Sequence, residues 1–422
     1  MLRAELKKVI FTLSYILFVV MMVGIYITQM VPEFAEPVAK PEPGQEYYGE
    51  MEVEIPSVLM PAATESLLGE YLNGFYGAYP IMFYKEVHLK AEDEERMAGI
   101  LQQLTGLSKE ELDAFEDYAA GGYYYSVDGN GNPVVVSQEA MLPEYELNSD
   151  ISYEEFQELM KEADEIIGGG SKYAARNLIR NFSRIPMTYE DALGEYEQTV
   201  TGETIGKAYT RLFCDYMGVF LPIMTVFVAA SFWNMDKRAK VRELIYSREI
   251  GTFKLLAVRI LALLIAMLPV ILLPFAHMVT RVSAIYSGLS VAWAGAISEL
   301  LLWLIPEMMF VTLFSIVITE MVSPILAIFL QGAWWYMALS MNELVGGINR
   351  WTLILRHNTL GGITIWQNEL GIVIWNRVYY LCLSLILTVG LTVLYDLKRK
   401  GRMKFGRKDS QRDCCKKPMA VL

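Results

Sequence analysis

NMDKRAKVRELIYSREIGTFKLLAVR, residues 234–259, is the stretch that sets the architecture of this 422-residue chain. It is the longest charged, proline-free segment lying between two long apolar runs. Lys237, Arg238, Lys240, Arg242, Arg248, Lys254 and Arg259 carry its positive charge, relieved by Asp236, Glu243 and Glu249. Nothing breaks a helix before Gly251, and Val241, Leu244 and Ile245 share one face at helical spacing. The pattern predicts a short amphipathic helix joining two membrane spans. A plain basic loop that only satisfies membrane topology fits the same charges.

The apolar runs on either side belong to a set of six, at 9–31, 209–233, 255–279, 297–319, 324–345 and 373–395. Each approaches or exceeds the ~20 helical residues needed to cross a hydrocarbon core. The composition agrees: 54% hydrophobic residues and a mean hydropathy of +0.30 are too apolar for an ordinary soluble protein. The first run is long for a signal peptide, and PEFAEPVAK after it is a poor cleavage site, so an uncleaved span is expected.

The net charge of −12 divides sharply along the chain. Residues 32–208 hold 35 acids and 11 bases, a net of −24, whereas the rest carries +12. If the N-terminus is cytoplasmic, the inner segments 1–8, 234–254, 320–323 and 398–422 hold 19 Lys and Arg against 3 in the short outer loops 280–296 and 346–372. The positive-inside rule therefore puts both termini in the cytoplasm and 32–208 outside. The expected fold is a polytopic α-helical membrane protein of six spans with a mostly helical α+β extracellular domain. Nothing in this balance suggests nucleic-acid binding.

Within the acidic part, 32–56 is a Pro/Glu-rich linker and 57–208 the domain proper. AEDEERMAGILQQLTG repeats Met97, Ile100, Leu101 and Leu104 on one helical face and closes at Gly106. Ser108 with Glu111, and Ser152 with Glu155, form capping boxes, and Thr188 with Asp191 opens the last helix before the membrane. YPIMFYKEVHL reads as a short strand or irregular aromatic segment. GYYYSVDGNGNPVVVS has two β-prone runs flanking Asp-Gly-Asn-Gly, a hairpin signal. All four cysteines, Cys214, Cys382, Cys414 and Cys415, lie outside this domain, so a packed core must hold it.

Enzyme signatures are missing. There is no GxxxxGK[ST] phosphate loop, no HExxH and no CxxC, so neither ATP hydrolysis of that kind nor a common zinc or redox site is expected of this chain. His88, His277 and His357 lie in three separate segments, and His357 reads first as a surface or interfacial residue. NFS at 181–183 fits a glycosylation sequon and carries little weight. Acids in the spans are more informative, because an ionisable group in lipid is costly. Asp215 falls near the start of the second span. Glu299 and Glu307 are eight positions apart in the fourth, with Pro306 beside Glu307 to kink it. Glu307 reads either as part of a translocation path or subunit interface, or as an acid paired within the bundle. Pairing or snorkelling comes first for Glu299 and Asp215. The semi-polar segment 346–372, with Trp351 and Trp366, suits the outer interface, lying on it or re-entering.

This organisation resembles the permease subunit of an ABC transporter of the ABC-2 (type V exporter-like) class. The resemblance covers most of the chain: one span, a large external domain, then five spans with a cytoplasmic helix between the second and third. Members often show a glutamate, a Ser/Thr-Arg-Pro-like turn and further bases before the third span. Glu243, Ser247-Arg248 and then Lys254 and Arg259 are similar, although Glu249 replaces the proline. A second register aligns Arg248-Glu249 and Gly251-Thr252 with an Arg-Glu-x-Gly-Thr motif. Glu320-Met-Val-Ser-Pro324 and Asn376-Arg377 are also similar to this class, and the segments 79–85 and 104–106 to permeases of Gram-positive bacteria.

The resemblance implies a separate ATP-binding subunit that carries ATP and Mg, with none bound by this chain. It implies a coupling surface at Val241, Arg242, Glu243, Leu244, Ile245, Tyr246, Arg248 and Glu249, and a second permease, identical or related. It further implies a multi-pass protein of a bacterial plasma membrane. The competing reading is a membrane-anchored sensor whose acidic domain binds a ligand.

Overall fold

The computed structural model describes all residues except 80–83, 116–121, 128–132, 139–141, 203, 290, 342–349, 358 and 403–422. The architecture is that of a multi-pass helical membrane protein with few strands. Its contacts divide the chain into two compact units, 1–40 with 194–422, and 41–193.

The first unit is the bundle. It comprises α1 (Leu2–Ile10), α2 (Leu13–Ile25), α9 (Ile205–Arg238), α10 (Arg242–Tyr246), α11 (Thr252–Ile285), α12 (Trp293–Met321), α13 (Pro324–Met341) and α14 (Ile363–Arg399). Among the described residues, five helical segments are long and apolar enough to cross a membrane: 13–30, α9, α11, α12 and α14. α13 is a shorter apolar helix, and the last residues of the span expected at 324–345 lie outside the described residues. α9 is the central helix, with 72% of its most apolar window buried against 22% for α14. α14 instead turns Ile374, Val378, Leu385, Ile386, Val389 and Val393 outward, a face suited to lipid chains.

Helix lengths explain where the charges fall. At 1.5 Å per residue, the 34 residues of α9 and 37 of α14 span roughly 50 Å and 55 Å, well beyond a ~30 Å hydrocarbon core. Their ends can therefore carry Asp236, Lys237 and Arg238, and Asp396, Lys398 and Arg399. α14 begins at Ile363, ten residues before the expected span, because Gly362 at φ 69° caps it in a left-handed conformation. Pro222 interrupts the ladder of α9, and the Val219 carbonyl beside the break accepts the Trp335 indole N–H at 2.6 Å.

The linker between α9 and α11 is not the single amphipathic helix that its pattern predicts. α9 continues through Arg238, the chain turns with Lys240 at φ 56°, and only one helical turn, α10, follows. A left-handed residue breaks the helix where the sequence holds neither Gly nor Pro.

The second unit contains α3 (Pro56–Asn73), α4 (Ala91–Thr105), α5 (Lys109–Asp113), α6 (Tyr153–Ile167), α7 (Ala175–Phe182) and most of α8 (Tyr189–Glu197). Leu59, Leu67, Met97, Leu101, Leu104, Phe156, Met160 and Tyr173 form its fully buried core. Among the described residues of this unit are three antiparallel strand pairs: β1 (Glu50–Glu52) with β6 (Arg184–Pro186), β2 (Tyr76–Ala78) with β3 (Lys85–Val87), and β4 (Gly122–Val127) with β5 (Pro133–Gln138). The β4–β5 ladder matches the predicted hairpin, whose turn lies outside the described residues. β1 falls inside the stretch expected to be linker, where Val53 and Ser183 also exchange hydrogen bonds across the pair.

Both predicted capping boxes form. Ser108 and Ser152 accept from the backbone of Glu111 and Glu155, whose carboxylates bond back to the serine N–H at 2.8 and 3.0 Å. Those hydrogen bonds hold the Glu111 and Glu155 carboxyls below the usual carboxylate value. A depressed native pKa stabilises above the unfolded value and ceases to do so as pH falls through the native one. Ser152→Ala is expected to lower the stability of α6 by about 1 kcal/mol, read as faster amide exchange over 153–157. The advantage of wild type over Glu155→Gln should be full near neutral pH, begin to fade as pH falls through the ordinary carboxylate value, and be lost only below the depressed native one.

Candidate functional site

Two polar clusters are built into the bundle, one at the linker and one deeper among α9, α12 and α14. The linker cluster begins with Glu320 near the end of α12, whose side chain is fully buried. Its carboxylate pairs with Arg242 of α10, accepts the Trp233 indole N–H of α9 at 2.9 Å and pairs with Lys398 of α14 at 2.9 Å. One acid thus joins four elements. A lone buried carboxylate would be prohibitively costly, but two cations and an indole donor compensate this one.

Beside it, Arg259 of α11 pairs with Asp236 and lies 5.6 Å over the Trp233 ring. Lys8 of α1 sits 3.6 Å from Asp236 and 3.4 Å from Glu5. Arg399 then anchors the linker backbone, donating to the carbonyls of Tyr246, Arg248 and Ile250. Tyr246 packs edge-on against Tyr395, 5.3 Å between ring centres. A cavity of about 250 Å³ opens between α1 and the linker, lined by Glu5, Lys8, Asp236, Arg248 and Arg259 together with apolar Val241 and Leu244.

The expected coupling residues accordingly separate into two groups. Val241, Glu243, Leu244, Arg248 and Glu249 are exposed, Leu244 to 63%. Arg242, Ile245 and Tyr246 turn inward, the last two against the bundle core. The linker offers a mixed apolar and charged surface while its other side is bolted to α12 and α14.

The deeper cluster surrounds a buried non-helical segment, 352–357. In a membrane interior such backbone must find every hydrogen bond within the protein. Side chains provide them. Asn376 donates to the carbonyls of Arg350 and Thr352 at 3.0 and 2.9 Å, Arg377 to that of Leu353 at 3.2 Å, and Tyr380 to that of Trp351 at 2.8 Å. Asp215 accepts the His357 N–H at 2.6 Å and forms an ion pair with Arg356. Glu307 lies 3.4 Å from Arg377, both side chains fully buried. Arg211 sits 5.6 Å over Trp366, which stacks on Trp303 at 5.1 Å.

Asp215 and Glu307, noted in the sequence as acids within or beside the spans, both connect to this segment, Asp215 directly at His357 and Glu307 through Arg377. Glu299 is half-buried, two turns before Glu307 on α12. His357 is not a surface residue as expected: it is buried, edge-on to Trp366, with Nε2 3.0 Å from the Gly361 carbonyl. Sequence reading passed over Trp233 and Arg399 as site residues, and noted Glu320, Arg259 and Arg377 only as parts of motifs. For the four at the linker the common signal is a charge or tryptophan at the end of an apolar run.

No group of three or more His, Cys, Asp or Glu among the described residues is arranged to hold a metal ion. No protein-family profile matches the chain, and searches of curated proteins and of solved structures find no significant match.

The Glu307–Arg377 pair gives a direct test. Arg377→Met strands a buried carboxylate and should cost about 3–5 kcal/mol, seen as a lower Tm in detergent. The double variant Glu307→Met/Arg377→Met should recover most of that loss. About 1 kcal/mol should remain, from the hydrogen bond to Leu353 that it still lacks.

Proposed function

We propose that the chain is the membrane-spanning permease subunit of an ATP-driven transporter of the ABC-2 type, working as an exporter. In this reading the bundle crosses a bacterial plasma membrane six times, with both termini and the linker in the cytoplasm and the acidic unit outside. A separate ATP-binding subunit carrying ATP and Mg presses on 236–250, and a second permease, identical or related, completes the pathway. Membrane lipid surrounds the bundle, and nucleic acid plays no part.

The observation that carries the reading is the two-sidedness of the linker. Val241, Glu243, Leu244, Arg248 and Glu249 are free to meet a partner, while Arg242, Arg399 and Glu320 tie the same segment into α12 and α14. A push on such a surface moves helices rather than a slack loop. An apolar centre at Leu244 rimmed by charges also has the make-up of a protein contact.

The alternative is a membrane-anchored sensor or accessory protein. It is favoured by a predominantly acidic cleft of about 820 Å³ in the 41–193 unit, between α4 and α6, where Asp150, Glu154 and Glu165 accompany the Arg96–Glu162 and Lys161–Glu158 pairs. A sensor needs no ATPase, which separates the two.

Affinity purification from native membranes should bring down an ABC-type ATP-binding subunit with the wild-type chain. Glu243→Lys and Leu244→Asp should lower its recovery, or the transport-coupled ATP hydrolysis, at least tenfold while the chain still inserts in the membrane. Leu244 is the better site for this change than Ile245, whose side chain is half-buried against the bundle core. Purification of wild type without any ATP-binding subunit contradicts the transporter reading.

A further inference from the structure

The linker clamp and the buried-segment clamp share the same helices. α12 carries Glu320, which holds the linker, and Glu307, which meets the segment through Arg377. α14 carries Lys398 and Arg399 at the linker and Asn376, Arg377 and Tyr380 at the segment. α9 carries Trp233 at one and Asp215 at the other. The helical separations, Glu307 to Glu320, Asp215 to Trp233 and Arg377 to Lys398, correspond to about 20, 27 and 31 Å along the axes.

We propose that α9, α12 and α14 act as struts that couple the linker conformation to that of the buried segment 352–357. The physical reason lies in what each end forbids. Glu320 cannot lose Arg242 without becoming a less compensated charge in a dehydrated site, so displacement of α10 draws the end of α12 with it. At the other end the segment has no water to replace Asn376, Arg377 or Asp215, so it follows the helices or opens as a unit. α12 and α14 hold no proline between their two clamps and are stiff over these distances, whereas α9 is interrupted at Pro222 and is the more compliant strut; both clamps are made of discrete bonds rather than compressible packing. Lys240 in its left-handed conformation and Gly251 are the hinges that let α10 move as one piece. The coupling is a property of the bundle, so it holds whether an ATPase or another partner moves the linker.

Coupling between two sites is reciprocal, which sets the test. Hydrogen–deuterium exchange is measured on the full chain in lipid nanodiscs. Arg242→Gln and Glu320→Gln, which loosen the linker clamp, should raise exchange over 352–357 at least tenfold. Arg377→Lys, which shortens the reach to Leu353 and Glu307, should raise exchange over 242–250 in turn. Leu263→Ala opens a cavity in the core of α11, outside both clamps, and should change neither region more than about twofold. Arg242 is a quarter exposed, so its variant remains informative if Glu320→Gln fails to assemble. Exchange that rises only over 239–251 in the linker variants overturns the proposal, as does an equal rise over 352–357 in Leu263→Ala.

Discussion

A bilayer interior supplies no hydrogen-bond partner, and that constraint governs the bundle wherever its backbone leaves the helix. Segment 352–357 is buried and irregular, so its carbonyls and N–H groups must be met by side chains. Asn376, Arg377, Tyr380 and Asp215 meet them, and each is itself fixed on a long helix. Glu307 then compensates Arg377, and Arg356 compensates Asp215. Asp215 and Glu307, two of the acids that stood out in the spans, are accounted for first by this demand: one accepts the His357 N–H and the other compensates Arg377.

The linker end obeys a related rule with different chemistry. Here α9 and α14 are longer than a hydrocarbon core requires, and charges of both signs are gathered at their ends. Glu320 neutralises Arg242 and Lys398, Asp236 neutralises Arg259, and Arg399 occupies carbonyls left over when α10 ends after one turn. The basic excess of 234–254 is thus partly spent inside the protein. What stays exposed, Val241, Glu243, Leu244, Arg248 and Glu249, is the remainder, and it is this remainder that suits a partner.

Local features were legible in the sequence because local interactions produce them. Apolar runs gave the long helices, Ser152 and Glu155 gave a capping box, and the tyrosine and valine runs gave the β4–β5 ladder. Features that depend on distant pairing were not. Nothing near Glu307 announces Arg377 seventy residues later, and nothing around His357 announces that its N–H is bound by Asp215. The linker helix proved shorter than its pattern, for a different reason. Its apolar spacing is helical, but the Arg242–Glu320 and Arg399–carbonyl bonds turn the chain at Lys240, overriding a propensity worth only tenths of a kcal/mol per residue. The start of α14 was hidden by Gln367, Asn368 and Glu369, which lower the apolarity of a helix that runs unbroken from Ile363.

The central claim is that the linker faces the cytoplasm, where an ATP-binding partner could reach it, and that the acidic unit faces outward. Cysteine labelling in intact cells tests it most directly. In a chain with Cys214, Cys382, Cys414 and Cys415 replaced by serine, single cysteines are placed at Lys240 and at exposed Glu65 and treated with a membrane-impermeant maleimide. The account predicts that position 65 reacts in intact cells and that position 240 reacts only after permeabilisation. Labelling of position 240 in intact cells, with position 65 protected, would contradict it.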